Sequence, residues 1–259
     1  VHLAVSTGQG EGAPSYNRAP RPDEYRVPEG AAYLHVTTNE TIHGIQLAAA
    51  EGVALEAALP AADGVPLVGD MSSDFLWRPT DLTRFGLVYA GAQKNIGPSG
   101  LAVVLVRDDV LARCRTDLPK MLRFDVAASN DSLYNTPPTF GVYMTRNVLA
   151  WCKAEGGLPE MERRNRRKAA LVYGALDGSG GFYRTPVAAG DRSAMNVVFR
   201  LATTALEEQL LAEAKAQGMV GLKGHRSVGG LRASLYNAIP VAWAEALASF
   251  LTEFARRRG

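Results

Sequence analysis

Residues 85–106 read Phe85-Gly86-Leu87-Val88-Tyr89-Ala90-Gly91-Ala92-Gln93-Lys94-Asn95-Ile96-Gly97-Pro98-Ser99-Gly100-Leu101-Ala102-Val103-Val104-Leu105-Val106. Two short apolar runs, Phe85 to Tyr89 and Leu101 to Val106, have the length and β-branched content of buried strands. The closing turn, Gly97-Pro98-Ser99-Gly100, is too short for a parallel crossover, so the two strands are expected to be antiparallel neighbours. Lys94 sits just after the first strand, among small residues and a tight glycine-proline turn. A lysine that acts as a nucleophile needs desolvation or nearby cations, and small neighbours let a flat molecule approach the backbone. The competing reading is a lysine snorkelling from a strand end.

Working outward, further apolar runs lie upstream at Tyr33 to Val36 and Pro66 to Val68, with a helical stretch predicted over 42–52. Such alternation indicates an α/β layer with a largely parallel sheet. Asp70, in Leu67-Val68-Gly69-Asp70-Met71-Ser72-Ser73, falls at the C-terminal end of one of these strands, the edge where open α/β sheets bind ligands. An acid there can keep a pyridine nitrogen protonated and make the ring an electron sink. Alone, Asp70 reads more readily as a turn or helix cap, given the serines that follow. An aspartate ending one strand and a lysine following a later one is the arrangement of pyridoxal-phosphate enzymes.

The rest of the chain frames this centre. Val1-His2-Leu3-Ala4-Val5 looks like a strand already inside a fold, so the sequence is expected to start in mid-domain. Segment 8–30 carries too many prolines for a helix or central strand and reads as a loop. Its Gly8-Gln9-Gly10-Glu11-Gly12 run lacks the following helix that a dinucleotide-binding turn requires, because Pro14 intervenes. Beyond residue 138 helical periodicity covers 140–154 and 159–176, with Leu158-Pro159 as a helix start. Strands at Met195 to Leu201 and Leu231 to Tyr236 then alternate with helices near 204–217 and 240–257. The expected division is a large domain over 1–157 and a smaller α+β domain over 158–259.

Composition narrows the class. The chain has 259 residues, 47% hydrophobic and 21% charged, enough for a core without staples. A formal charge of +2 argues for neither nucleic acid nor an anionic membrane. No apolar run reaches the length of a membrane span. Cys114 and Cys152 fit no metal-ligand spacing and no disulfide framework, so they read as free thiols of a cytoplasmic protein. The basic run Arg163, Arg164, Arg166, Arg167 and Lys168 has Glu160 and Glu162 as helix-face partners and reads as a solvated face.

Several blocks together resemble the phosphoserine aminotransferase family: Asn39-Glu40-Thr41-Ile42-His43-Gly44, Gly91-Ala92-Gln93-Lys94-Asn95-Ile96-Gly97-Pro98, Tyr134-Asn135-Thr136-Pro137-Pro138-Thr139, Lys223-Gly224-His225-Arg226 and Gly229-Gly230-Leu231-Arg232-Ala233-Ser234-Leu235-Tyr236-Asn237. The resemblance runs from about residue 31 to the C-terminus. It implies a class V, fold type I transferase dependent on pyridoxal 5′-phosphate. Such a chain has a mostly parallel large domain, here incomplete, and a smaller α+β C-terminal domain.

By the same resemblance, Lys94 bonds covalently to the cofactor and later moves the proton between substrate Cα and cofactor C4′. Asp70 pairs with the pyridinium nitrogen, Thr41 bonds the 3′-oxygen and Gln93 contacts the phosphate. Asn135 and Thr136 reach the phosphate of a neighbouring subunit's cofactor, which implies a homodimer with shared sites; on local grounds Asn135-Thr136-Pro137-Pro138 is only a rigid polar turn. Arg232 takes the substrate carboxylate, a task suited to a planar guanidinium. His225 and Arg226 contact the substrate phosphate or side-chain carboxylate, although as a surface loop pair they read equally well. His43 is given no catalytic role. The implied reaction moves the amino group of glutamate to 3-phosphohydroxypyruvate, giving O-phosphoserine and 2-oxoglutarate in serine biosynthesis, and involves no metal.

The resemblance also implies roughly a hundred further residues ahead of the stretch that begins here, within the size range of a larger enzyme. That part is expected to supply a glycine-rich phosphate turn and a ring-stacking aromatic. Two other functions stay open at this point: another class V enzyme acting on alanine, serine, glyoxylate or cysteine sulfur, and a truncated remnant without catalysis. The positions of Cys114 and Cys152 near helices speak against desulfuration.

Overall fold

The computed structural model describes residues 1–8, 15–62 and 64–259. Strand β1 (Leu34–Thr37), β4 (Leu67–Asp70), β5 (Phe85–Gly91) and β6 (Ala102–Val106) form a four-stranded sheet in the order β1-β4-β5-β6. β1 and β4 are parallel, as are β4 and β5, whereas β5 and β6 are antiparallel. The Gly97–Gly100 turn therefore imposes the reversal expected of a connection this short, with Gly100 at φ +95. A minimal hairpin, β2 (Asn39–Glu40) and β3 (Ile45–Gln46), leaves the end of β1.

That hairpin replaces the helix expected over 42–52. The Glu40 carboxylate accepts the amides of Ile42 (3.1 Å) and His43 (2.8 Å), closing a turn instead of a helix. Gly44 sits at φ +75, and a Cβ there would lie 2.7 Å from the Asn196 carbonyl. Apolar spacing over 45–49 mimicked a helix; the left-handed glycine and its packing decided otherwise. Nor do residues 1–5 form a strand; one backbone bond, Arg26 N to Ala4 O at 2.8 Å, ties them down. Segment 15–30 is irregular apart from a short 3-10 turn at Pro22–Glu24. Gly10, Gly12 and Pro14 of the glycine-rich run lie outside the described residues.

After β6 come two short helices, α1 (Asp108–Leu111) and α2 (Phe124–Ser129), then the long helices α3 (Thr139–Ala154) and α4 (Gly157–Asp177). The chain finishes with β7 (Asn196–Phe199), α5 (Thr204–Ala216), β8 (Leu231–Ser234) and α6 (Val241–Arg258), β7 and β8 pairing antiparallel. The helical repeats read from sequence become α3 to α6 with ends moved by one or two residues. Thr203 caps α5 by accepting the Leu206 amide at 3.2 Å. α6 buries Ala244, Leu247, Phe250, Leu251 and Phe254 along one stripe, facing the stripe of α4 that includes Val172 and Leu176.

Two main cores result. One gathers β7, β8 and the inner faces of α4, α5 and α6. The other lies under the four-stranded sheet and holds Leu34, Val36, Leu67, Phe85, Val88, Ala90 and Ile96. Trp77, Ala169, Ala194 and Met195 make a small cluster between them. The basic run on α4 is only partly a solvated face. Arg163 and Arg164 bond Glu160, and Arg166 bonds Glu162. Lys168, however, is completely buried, because its position turns toward β8 and its ammonium finds backbone carbonyls there.

Candidate active site

Three chain segments converge at the carboxyl edge of the parallel strands. Asp70 ends β4, paired in register with Thr37 of β1 and Tyr89 of β5. Lys94 follows β5 in a turn whose amides at Ile96 and Gly97 bond back to the Ala92 carbonyl at 3.1 and 2.8 Å. Thr41 lies in the hairpin turn after β1. Parallel strands all deliver their exits to this one edge, which is why residues distant in sequence meet there.

The Lys94 Nζ donates to Thr41 Oγ1 at 3.0 Å. Among the described residues no carboxylate makes a salt bridge with it. Burial holds this amine below its ordinary value; Asp70 opposes the shift and Arg232 adds to it. A half-buried lysine paired only with a hydroxyl is primed to lose its proton and attack.

Asp70 is doubly held. Its Oδ1 accepts the Ser72 amide at 2.9 Å, and its Oδ2 accepts the Tyr89 hydroxyl at 3.1 Å. It is therefore both a turn-forming aspartate and an acid at the site, so the two readings of this residue are compatible. Burial and the neighbouring Asp70 raise the Tyr89 phenol, keeping it a donor. The Ser72 hydroxyl in turn accepts the Gly91 amide at 3.1 Å, tying the acid's turn to the end of β5. Behind it, buried Asp74 accepts from Thr38 Oγ1 (2.6 Å) and Gln46 Nε2 (3.1 Å), and desolvation pushes its carboxyl up to about 6.

Arg232 reaches in from β8. Its Nη1 donates to the Thr41 carbonyl at 3.3 Å, while its Nε is buried without a partner among the described residues. A buried guanidinium N–H left unpaired costs about 1–3 kcal/mol, and an incoming carboxylate would satisfy it. The donor set at this edge thus fits pyridoxal phosphate and an amino-acid substrate: an amine for the aldehyde, an acid for the ring nitrogen, a hydroxyl for the 3′-oxygen and a free guanidinium face. Among the described residues no group of three or more His, Cys, Asp or Glu is arranged to hold a metal ion.

Not every sequence candidate joins this group. Gln93 is exposed and folds back over Gly91, where a Cβ would meet its Oε1 at 2.8 Å. Asn135 and Thr136 are exposed, and Asn135 Nδ2 bonds only the Thr136 carbonyl, at 3.2 Å. His225 Nδ1 contacts Ser227 Oγ at 2.7 Å, and Arg226 is exposed. Among the described residues none of these five bonds to Lys94, Asp70, Thr41 or Arg232. Sequence reasoning assigned no role to Tyr89, Ser72, Asn95 or Asn237, which the structure builds around the site. All four stand beside or inside the quoted blocks, but nothing local distinguishes a structural amide from a surface one.

The profile of the family described as Aminotransferase class-V matches residues 15–247, and the chain belongs to this family. Over all 259 residues it is 54% identical to a phosphoserine aminotransferase of Herpetosiphon aurantiacus, spanning 68% of that protein. A phosphoserine aminotransferase of Niallia circulans is 52% identical over the same length, again with 68% of it covered. Among solved structures, phosphoserine aminotransferase from Bacillus circulans subsp. alkalophilus superposes with a TM-score of 0.87 at 53% identity, over 93% of this chain and 64% of that one. The pyridoxal-phosphate-bound enzyme from Trichomonas vaginalis superposes at 0.81 with 34% identity, over 90% of this chain and 63% of that one. The chain thus has the fold of these aminotransferases and spans about two thirds of their length.

Proposed function

We propose that this chain carries the lysine-bearing part of a phosphoserine aminotransferase, moving the amino group of glutamate to 3-phosphohydroxypyruvate. The observation that carries the reading is the meeting of Lys94, Asp70, Thr41 and Arg232, with a buried Arg232 N–H still unpaired. The family assignment and the names of the relatives support the same substrates. The cofactor is pyridoxal phosphate, whose protonated ring accepts the electron pair released when the substrate Cα–H bond breaks.

The residues divide the work. Lys94, lowered by burial, supplies a neutral amine to hold the cofactor and then carries the proton to and from substrate Cα. Asp70, fixed by Ser72 and Tyr89, accepts the ring N–H. Thr41 holds the Lys94 amine through its hydroxyl and would bond the 3′-oxygen of the bound cofactor. Arg232 binds the substrate α-carboxylate and so orients the Cα–H bond toward Lys94.

Gln93 belongs with the cofactor phosphate in this reading, and His225 and Arg226 with the distal charge of the substrate. Asn135 and Thr136 act across a homodimer, since among the described residues they make no hydrogen bond to the site of their own chain and stand on a segment rich in exposed apolar side chains, Leu133, Tyr134 and Phe140 among them. The working division is a cofactor part over 1–157 and a substrate-side part over 158–259. No helix of the described residues is long and apolar enough to cross a membrane, and the cysteines are unpaired, in keeping with a cytoplasmic enzyme.

The test is the visible spectrum of the purified chain mixed with pyridoxal phosphate, beside Lys94→Ala. A band that borohydride removes, that glutamate bleaches and that Lys94→Ala lacks is the expected result. Retention of the same band by Lys94→Ala sinks the lysine assignment. A bleached band restored by glyoxylate but not by 3-phosphohydroxypyruvate sinks the substrate assignment.

A further inference from the structure

Buried amides are costly to place in a core, yet three of them line up behind the active site. Asn95, directly after Lys94, donates from Nδ2 to the Phe75 carbonyl at 3.0 Å and accepts the Asn237 amide on Oδ1 at 3.0 Å. Asn237 donates from Nδ2 to the Leu76 carbonyl at 3.0 Å and accepts Asn165 Nδ2 on Oδ1 at 2.8 Å. Asn165 gives its other hydrogen to the Trp77 carbonyl at 3.0 Å. One helical turn along α4, Lys168 Nζ donates to the carbonyls of Leu235 and Tyr236 at 2.7 and 2.8 Å. Asn165 and Lys168 are 0% exposed, Asn95 6% and Asn237 7%.

The destinations are what matter. Phe75, Leu76 and Trp77 belong to the turn that follows Asp70. Asn95 belongs to the turn of Lys94. Leu235, Tyr236 and Asn237 are the exit of β8, the strand of Arg232. The amides thus touch each of the three segments that deliver an active-site side chain, and α4 is the rod to which they are tied.

Apolar side chains of similar volume would leave the Phe75, Leu76 and Trp77 carbonyls without these donors. Amides add direction, since each bond fixes a distance and an angle that dispersion leaves loose. Asn165 Oδ1 is buried with no partner among the described residues, so the arrangement even carries an uncompensated acceptor. A reaction whose rate can fall about a hundredfold on a 1 Å displacement gives that rigidity a use.

We propose that Asn95, Asn165 and Asn237 are positioning residues, an amide clasp holding the Lys94 turn, the turn after Asp70 and the exit of the Arg232 strand in one register. The catalytic benefit rests on the reading above, that these three side chains serve one site; the mechanical coupling does not.

The two parts are tested separately. Amide hydrogen exchange of the chain without cofactor is compared for the native sequence, Asn237→Ala and the near-isosteric Asn95→Asp. Losing two clasp bonds in Asn237→Ala, or one in Asn95→Asp, is expected to raise exchange at least roughly tenfold in all three segments, 75–77, 92–97 and 235–237. The stripe of α6 from 244 to 254 should stay protected. A rise confined to the substituted segment overturns the clasp, whatever the cofactor does. If Asn237→Ala fails to fold, the pattern in Asn95→Asp decides.

With pyridoxal phosphate added, the clasp predicts that Asn95→Asp raises the glutamate concentration needed to bleach the visible band by about tenfold. Loss of thermal stability with unchanged bleaching would reduce the amides to packing and overturn the positioning role. A band that stays absent even when the chain is joined to the N-terminal part its relatives carry refutes the lysine assignment and with it the positioning role, while the exchange pattern still judges the coupling.

Discussion

The core built on β7 and β8 and the four-stranded sheet solve the same packing problem differently. Around β7 every strand residue is buried, and helices α4, α5 and α6 close the core on their own. In the four-stranded sheet β1 alternates buried and exposed residues, and β6 has no fully buried residue. Its outer strand exposes Val104 and Leu105, and the stretch from Met121 to Leu149 exposes a further series of large apolar side chains. One region is finished by its own sequence; the other presents surface of the kind that another chain or segment covers. The candidate site lies where they meet, its lysine and acid on the open region and Arg232 on the closed one.

Substitutions can break this contrast. The largest effect belongs to Phe254→Ala, which empties a site with no exposure in the closed core and should cost about 3–5 kcal/mol in denaturant unfolding. A cost near zero would mean that the C-terminal core is looser than its burial indicates. Asp74→Asn asks whether the sheet region is sealed at its inner layer. The carboxyl of Asp74 is raised to about 6 in the folded chain, so the folded state binds its proton more tightly than the unfolded one. Its contribution to stability is complete below its ordinary value, near pH 4, and is lost as pH rises through about 6. Asparagine carries no charge to bury, and Thr38 Oγ1 can turn its hydrogen to the Asp70 carbonyl, 3.3 Å away. Asp74→Asn should therefore gain on the native chain by about 2 kcal/mol between pH 4 and pH 8. A difference independent of pH would show that water reaches the carboxylate. The smallest effect is expected from Phe140→Ala, which removes a side chain 73% exposed and should change the stability of the isolated chain by less than about 0.5 kcal/mol. Sedimentation should still register it as weaker self-association, and a large loss of stability would place Phe140 in a core of its own chain.

Much of the fold was legible because its signals are local. The apolar runs of β5 and β6 and the four-residue turn between them specify an antiparallel pair before any tertiary contact forms. The stripes of α4 and α6 follow the helical period, so their burial could be anticipated. Segment 42–52 failed for the opposite reason: Gly44 takes a left-handed conformation against the Asn196 carbonyl, more than a hundred residues away, and no local pattern records that approach. Lys168 failed likewise, since a lysine beside four arginines looks solvated until the segment after β8 supplies the Leu235 and Tyr236 carbonyls for its ammonium.

By itself the sequence singled out Lys94 and Asp70 as the candidate amine and acid, because each stands at the end of a strand pattern that is readable from neighbours alone. It also determined the family, through blocks whose order and spacing recur. Tertiary structure alone decided that Tyr89 and Ser72 hold the acid, that Arg232 keeps an unpaired N–H beside Thr41, and that three asparagines tie the segments together. Hydrogen-bond partners of that kind come from strand register and helix packing, and neither is set until the whole chain has closed.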